Sequence, residues 1–365
     1  LRIIFSKNKE KKEYAMFIDK NFNKELPSSA NVKWLRPKEI YTNPLYVFDL
    51  CNCDLQQSKL GNCFILSVLD FLVNQSKTNK YTLYHILKTL GVWQSFSSPS
   101  YDGKFIFQFN SQTIVIDDLL PVNSATNELL FCQNKTTPYE LWPALLEKAC
   151  AKYYGSYKIL NEGGNPAEVF ENLFAAKTNL LLSNNITDRT KKLAISFIDD
   201  STKHAESISA SGIVNKHAYS IFGYDKNFIT LKNPWSNQIE FRDQIDSNNS
   251  CCEKNLNKAS DGVFTMTWEQ FKHEFPYVIT ADLPQPNIYL QPKHVLNTKE
   301  PKLIVVFTEP AFHVHLNFYN EAKKKVLVFE QKFKEARTWV AFDIQNLYIT
   351  ELKCLKPKLC HVAVI

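Results

Sequence analysis

The chain has 365 residues, 44% of them hydrophobic and 22% charged, the balance of a globular protein rather than a disordered, collagenous or mucin-like one. Lysine and arginine (43) exceed aspartate and glutamate (37), but the two signs are interspersed, which excludes the basic stripe expected of a nucleic-acid-binding protein. The most apolar run, 64–73, carries Asp70 and is about half the roughly 20 residues a membrane span needs, so no transmembrane segment is predicted.

In chain order, residues 1–50 read as loop, interrupted by Pro27, Pro37 and Pro44. A helix is predicted over 62–75, where Ile65, Val68, Leu69, Leu72 and Val73 recur at three and four and the other faces are also apolar, as in a buried central helix. Short strands follow at 104–109 and 113–116, then a helix over 138–154 with Leu141, Leu145, Cys150 and Tyr153 on one stripe. Thr137-Pro138-Tyr139-Glu140 reads as its capping box, with proline at the first helical position. Strands are predicted at 194–197, 217–223 and 228–232, and a helix at 267–275 with Thr267 as N-cap. Beyond the linker Pro284-Gln285-Pro286, the runs 303–307, 313–318, 325–329 and 338–342 have strand composition and are separated by turns. The fold class is therefore α+β, with an appended antiparallel β unit.

Nine cysteines are irregularly spaced without paired C-x-x-C elements, which argues against structural zinc and for free thiols in a reducing compartment. The hydrophilic stretch 7–12 is unlike a signal peptide, and the chain starts without methionine, as a fragment would; a cytoplasmic, intracellular location is expected.

Cys63 stands where a polar loop, Gln57 to Asn62, runs into the apolar helix. There the positive end of the helix macrodipole favours thiolate over thiol, although any one cysteine among nine is more commonly a small buried hydrophobe. His217 begins a predicted strand. If its hairpin is centred on Asp225, His217 faces Asn233 with β-carbons about 4.5–5.5 Å apart, and the amide can hold one imidazole tautomer. A one-residue slip would separate them. The order Cys63, His217, Asn233, with roughly 150 residues between the first two, fits papain-type cysteine proteases. Gln57 could aim its amide at a developing oxyanion.

These residues carry a resemblance to the calpain catalytic core, whose nucleophile pattern is Gln-Gly-x-Leu-Gly-Asp-Cys-Trp. It extends to Trp34-Leu35-Arg36-Pro37-Lys38-Glu39-Ile40, to Asp117-Asp118-Leu119-Leu120-Pro121, and to 140–149 through Gly155-Ser156-Tyr157. It continues through His217-Ala218-Tyr219-Ser220, Asn233-Pro234-Trp235 and Asp261-Gly262-Val263-Phe264, covering about residues 15–283. The resemblance implies a papain-like two-lobed core, with a helical lobe at 1–165 and a β-rich lobe at 166–283, followed by a partial antiparallel β-sandwich at 287–365. It implies a cysteine endopeptidase with Cys63 as nucleophile, His217 as base, Asn233 as orienter and Gln57 as oxyanion donor. Trp235 would shield the His–Asn bond, and Gly164 and Lys216 would meet substrate backbone.

The family's calcium sites map onto Asp54 and Glu140 in the first lobe and Asp261 in the second. Val263 stands where another acid is expected, so calcium should bind chiefly in the first lobe. Further departures are Ser58 for Gly, Asn62 for Asp, Phe64 for Trp, and Lys216 and Ser236 for two glycines. No EF-hand loop is present. Protein substrates are implied, with the β-sandwich as a surface for membrane or protein contact. The rival readings are a calpain-like scaffold whose substituted cleft no longer turns over, and transglutaminase-type acyl transfer, against which Asn233 argues because that class orients histidine with aspartate.

Overall fold

The computed structural model describes residues 15–28, 31–91, 96–97, 101–186, 193–198, 204, 206–236, 241 and 261–284, and beyond 284 only the backbone of strands. The predicted linker residues Gln285 and Pro286, and the segment 1–14, lie outside the described residues.

Strand β1 (Val32–Leu35) and the short helix α1 (Pro37–Ile40) interrupt the predicted N-terminal loop. Then come β2 (Leu55–Gln56), α2 (Cys63–Ser76), α3 (Lys80–Leu90), β3 (Lys104–Phe109), β4 (Gln112–Asp117), β5 (Leu120–Asn123) and β6 (Gln133–Asn134). Three helices follow, α4 (Trp142–Tyr154), α5 (Tyr157–Leu160) and α6 (Pro166–Phe174). The next stretch holds β7 (Lys177–Leu182), β8 (Leu193–Ile198), β9 (His217–Tyr224), β10 (Phe228–Lys232), β11 (Val263–Thr267), α7 (Trp268–Glu274) and β12 (Tyr277–Asp282). Strands β7 to β12 form one antiparallel sheet in the order β11-β10-β9-β8-β12-β7.

Beyond it lie β13 (Leu296–Asn297), β14 (Lys302–Thr308), β15 (His313–Tyr319), β16 (Lys325–Lys332), β17 (Trp339–Ile344), β18 (Tyr348–Cys354) and β19 (Cys360–Val364). They make two antiparallel sheets, β13-β18-β15-β16 and β17-β14-β19. Helices before and among strands of antiparallel pairing fit the α+β class.

α2 forms where predicted, and Phe64, Ile65, Leu66, Val68, Leu69, Phe71, Leu72 and Val73 are all buried. It lies along β9. Two side chains lock that crossing: Ser220 Oγ donates to the Ser67 carbonyl (2.8 Å), and Asn74 Nδ2 donates to the Phe222 carbonyl (2.7 Å). Ala218 of β9 and Ala194 and Ile195 of β8 belong to the same apolar core as α2, so the sheet and the helix share one packing unit.

α4 starts at Trp142, later than predicted, because Glu140 is not a cap. Its backbone N–H closes a turn onto the Thr137 carbonyl, and its side chain turns inward. The conspicuous Asp117-Asp118 pair is structural. Asp117 accepts from the buried ammonium of Lys148 on α4, and Asp118 accepts from Arg36 and Tyr101. These bonds tie the N-terminal segment to the helical core.

Candidate active site

Cys63 is the first residue of α2. The preceding Asn62 does not cap the helix with its side chain. Its Nδ2 instead donates to the buried carboxylate of Glu147 (2.7 Å), while its carbonyl accepts from Ile65 and Leu66. The first N–H groups of the helix are therefore left for another acceptor. The Cys63 sulfur takes that place, facing the N–H groups of Ala218, Phe64 and Cys63 itself.

These donors favour thiolate, but burial is the larger influence and raises the thiol to about 11. The expected lowering by the helix terminus is thus present and outweighed. Burial also raises Glu147, to about 8, against the opposing hydrogen bonds from Asn62 and Cys132.

His217 opens β9 opposite Ile198 of β8 and is 2% exposed. Its Nε2 lies 2.8 Å from Asn233 Oδ1. The Trp235 backbone N–H donates to that same oxygen (3.0 Å), so Nε2 carries the proton and Nδ1 is the acceptor. Nδ1 is buried without a hydrogen-bond partner. Burial pushes the imidazole down to about 4, against the opposing hydrogen bond to Asn233. The Trp235 ring sits 4.8 Å from the His217 ring.

The pairing arises by a route other than the predicted one. Tyr224 faces Ile229 across a turn centred between Lys226 and Asn227, where Asp225 Oδ1 accepts from the N–H groups of Asn227 and Phe228. A bulge then shifts the register, so Lys232 pairs with Ser220. Asn233 lies beyond β10 and reaches His217 from the turn that its carbonyl closes with Ser236.

Gln57 is buried. Its backbone N–H donates to the Pro234 carbonyl (2.8 Å) and its Nε2 to the Leu60 carbonyl (2.5 Å), which leaves one amide proton for a further acceptor. Gly164 lies against the Phe64 ring, where a β-carbon would come within 2.5 Å of the ring. Lys216 is exposed beside His217 at φ +53°, and Ser236 has φ +47°. Glycine is the easy residue at such angles, which explains why the resemblance calls for it at both positions.

The carboxylates expected at two calcium sites, Asp54 with Glu140 in the first lobe and Asp261 in the second, all accept hydrogen bonds within the chain. Glu140 is 1% exposed and accepts from Phe48 N (2.6 Å) and Asp49 N (3.2 Å) on Oε1 and from Asn134 Nδ2 (2.8 Å) on Oε2. Asp54 Oδ1 accepts from Lys232 Nζ (2.8 Å) and Ser236 Oγ (3.0 Å). Asp261 Oδ1 accepts from the Val263 N–H (3.1 Å). Calcium wants six to eight oxygens. Among the described residues, no three His, Cys, Asp or Glu side chains are grouped to hold a metal ion.

Lys232 is the residue that sequence reasoning missed. Its ammonium bridges Asp54 and Asp70 (2.7 Å) and also donates to the Leu55 carbonyl (3.1 Å). The signal was present in Asp70, a carboxylate inside an apolar helix, which demands a buried cation.

The family model described as calpain family cysteine protease matches residues 9–281. The calpain-1 catalytic subunit of Bos taurus is 31% identical over 290 residues, covering 69% of this chain and 38% of the relative. Calpain-14 of Homo sapiens is 31% identical over 282 residues, covering 69% and 39%. The calpain-1 catalytic subunit of Mus musculus is 30% identical, covering 67% and 37%. The chain thus spans less than two fifths of the length of these relatives. No described helix is long and apolar enough to cross a membrane.

Proposed function

The chain belongs to the calpain family of cysteine proteases, and on that premise we propose that it is a cysteine-type endopeptidase acting on protein substrates through a thioester on Cys63. The observation that carries this reading is the His217 imidazole, held by Asn233 in the tautomer that leaves Nδ1 free as a base. Nδ1 takes the Sγ proton as sulfur attacks the scissile carbonyl carbon. The imidazolium returns that proton to the amine nitrogen as the C–N bond breaks, leaving an acyl-thioester. Water, giving a proton to the same Nδ1, hydrolyses the thioester and restores the thiol.

The helix-terminal N–H groups at Cys63 and the spare amide proton of Gln57 are the donors for the developing oxyanion. Trp235 keeps water from the His217–Asn233 bond, and Gly164 and Lys216 stand at the substrate's path. The helical and β-rich halves, 1–165 and 166–283, act as two lobes around this cleft, with the C-terminal sheets as a β-sandwich for contacts with other molecules. No step is assigned to calcium; Glu140 and Asp54 Oδ1 accept the hydrogen bonds already described.

A second reading, a scaffold without turnover, draws support from one observation: Nδ1 has no partner, so the Sγ–Nδ1 hydrogen bond is not made in this resting arrangement. Casein hydrolysis separates the two. Cys63→Ala and His217→Ala should each abolish cleavage, since nucleophile and base act as a unit. Asn233→Ala should leave a reduced, measurable rate. No cleavage by the unaltered chain would favour the scaffold.

A further inference from the structure

The Lys232 side chain crosses between three segments that the proposed reaction needs in register. Asp70 lies on α2, two turns beyond Cys63; Asp54 and Leu55 lead into Gln57; and Asn233 follows Lys232 in the chain. All three ammonium protons are used: 2.7 Å to Asp70 Oδ1, 2.8 Å to Asp54 Oδ1 and 3.1 Å to the Leu55 carbonyl. Ser236, at the far end of the Asn233 turn, closes the same frame. Its hydroxyl lies 3.0 Å from Asp54 Oδ1 and 3.0 Å from the Leu55 carbonyl. Between them, the Pro234 carbonyl accepts the Gln57 N–H.

We propose that Lys232 is a positioning residue whose ammonium serves as an internal cation, clamping the nucleophile helix and the Gln57 segment to the turn that carries Asn233. The proposal rests on the peptidase reading and deepens it. At Asp54 the ammonium and the Ser236 hydroxyl both meet Oδ1. The work of drawing the Asp54–Gln57 segment into place is done by a residue of the chain itself.

Asp70 Oδ2 is buried without a hydrogen-bond partner, so its carboxylate depends on Lys232 for compensation. A cavity of about 360 Å³ opens on Asp54, Asp70 and Lys232, large enough to admit a small alkylammonium ion.

The test is chemical rescue. Lys232→Ala should lose about 10²-fold in kcat on a fluorogenic peptide with KM within about twofold, as small misalignments do. Ethylammonium should restore part of the loss by donating to the same carboxylates. Tetramethylammonium, which has no N–H, should not. A second readout needs no turnover. The His217 Nε2–H proton, bonded to Asn233, should give a slowly exchanging downfield resonance in ¹⁵N-histidine-labelled chain, broadened in Lys232→Ala and sharpened again by ethylammonium.

Removing one partner of a buried ion pair can unfold a chain. Lys232→Met combined with Asp70→Asn therefore serves as a folded control, expected to be as slow as Lys232→Ala and unresponsive to ethylammonium. A Lys232→Ala kcat within about twofold of the unaltered chain, a loss that ethylammonium fails to reverse, an unchanged resonance, or a double variant at full rate would each overturn the clamp. An unaltered chain that hydrolyses nothing would overturn the peptidase reading alone, because the resonance still reports the clamp.

Discussion

Asn233 Oδ1 accepts two N–H groups, from His217 and from Trp235, and this fixes the identity of the amide oxygen and the site of the imidazole proton. The consequence reaches Cys63. With the thiol raised to about 11 by burial and the imidazole lowered to about 4 by burial, proton transfer from sulfur to nitrogen is unfavourable at rest. Both shifts favour a neutral pair at rest. Alkylation of Cys63 by iodoacetamide should therefore climb with pH across the neutral range, by about tenfold per unit, because only the thiolate reacts and its fraction grows below the thiol's own value. A plateau from pH 5 to 8, the mark of a preformed thiolate–imidazolium pair, would contradict this neutral pair.

The sequence-level expectation of a lowered thiol rested on the helix terminus alone. That contribution is visible in the N–H groups around the sulfur, but burial depends on distant residues that no local pattern reveals. Candidate residues were readable at this scale because chemistry repeats in short motifs; their ionisation was not.

Elements were readable where one period ruled a stretch. α2, β3, β9 and β10 fall where apolar spacing put them. α6 was missed despite a legible start, Asn165 capping Ala167 N with Pro166 at the first position. α3 was missed because its tyrosines and threonines carry strand propensity that tertiary packing overrides. The hairpin between β9 and β10 shows how a right partner can follow from a wrong register. The turn centre and the bulge both departed from the simple count, yet Asn233 met His217 because the strand ends at Lys232 and the chain folds back.

Close packing between elements sets how near Gly164 lies to the helix that begins at Cys63. Gly164 has no room for a side chain against Phe64, so Gly164→Ala should destabilise the chain by about 1–3 kcal/mol, as overpacked sites do. Urea unfolding measures it, and in a Phe64→Ala background, itself less stable, the same Gly164→Ala change should cost little further. No change in midpoint for Gly164→Ala would contradict that contact.

Across the whole molecule, the α+β class was legible, while several elements and the bonds that hold distant segments together were not. Lys232 to Asp70 and Asp54, Asn62 to Glu147, and Lys148 to Asp117 join residues far apart in sequence through buried charge. Asp70 announced that a partner must exist without naming it. Glu140 was read as a helix cap and is not one: its oxygens hold the loop at Phe48 and Asp49 and the side chain of Asn134, a role that no local pattern announced.

Covalent catalysis at Cys63, as proposed, is tested most directly by trapping the acyl-enzyme. The chain is mixed with a peptide ester, quenched in acid within milliseconds, and examined by intact mass and peptide mapping. The expected result is an acyl adduct on Cys63 that forms faster than product is released, is cleaved by hydroxylamine, and is absent from Cys63→Ala and His217→Ala. Product release with no adduct on Cys63, or the same adduct in His217→Ala at an unchanged rate, would contradict it.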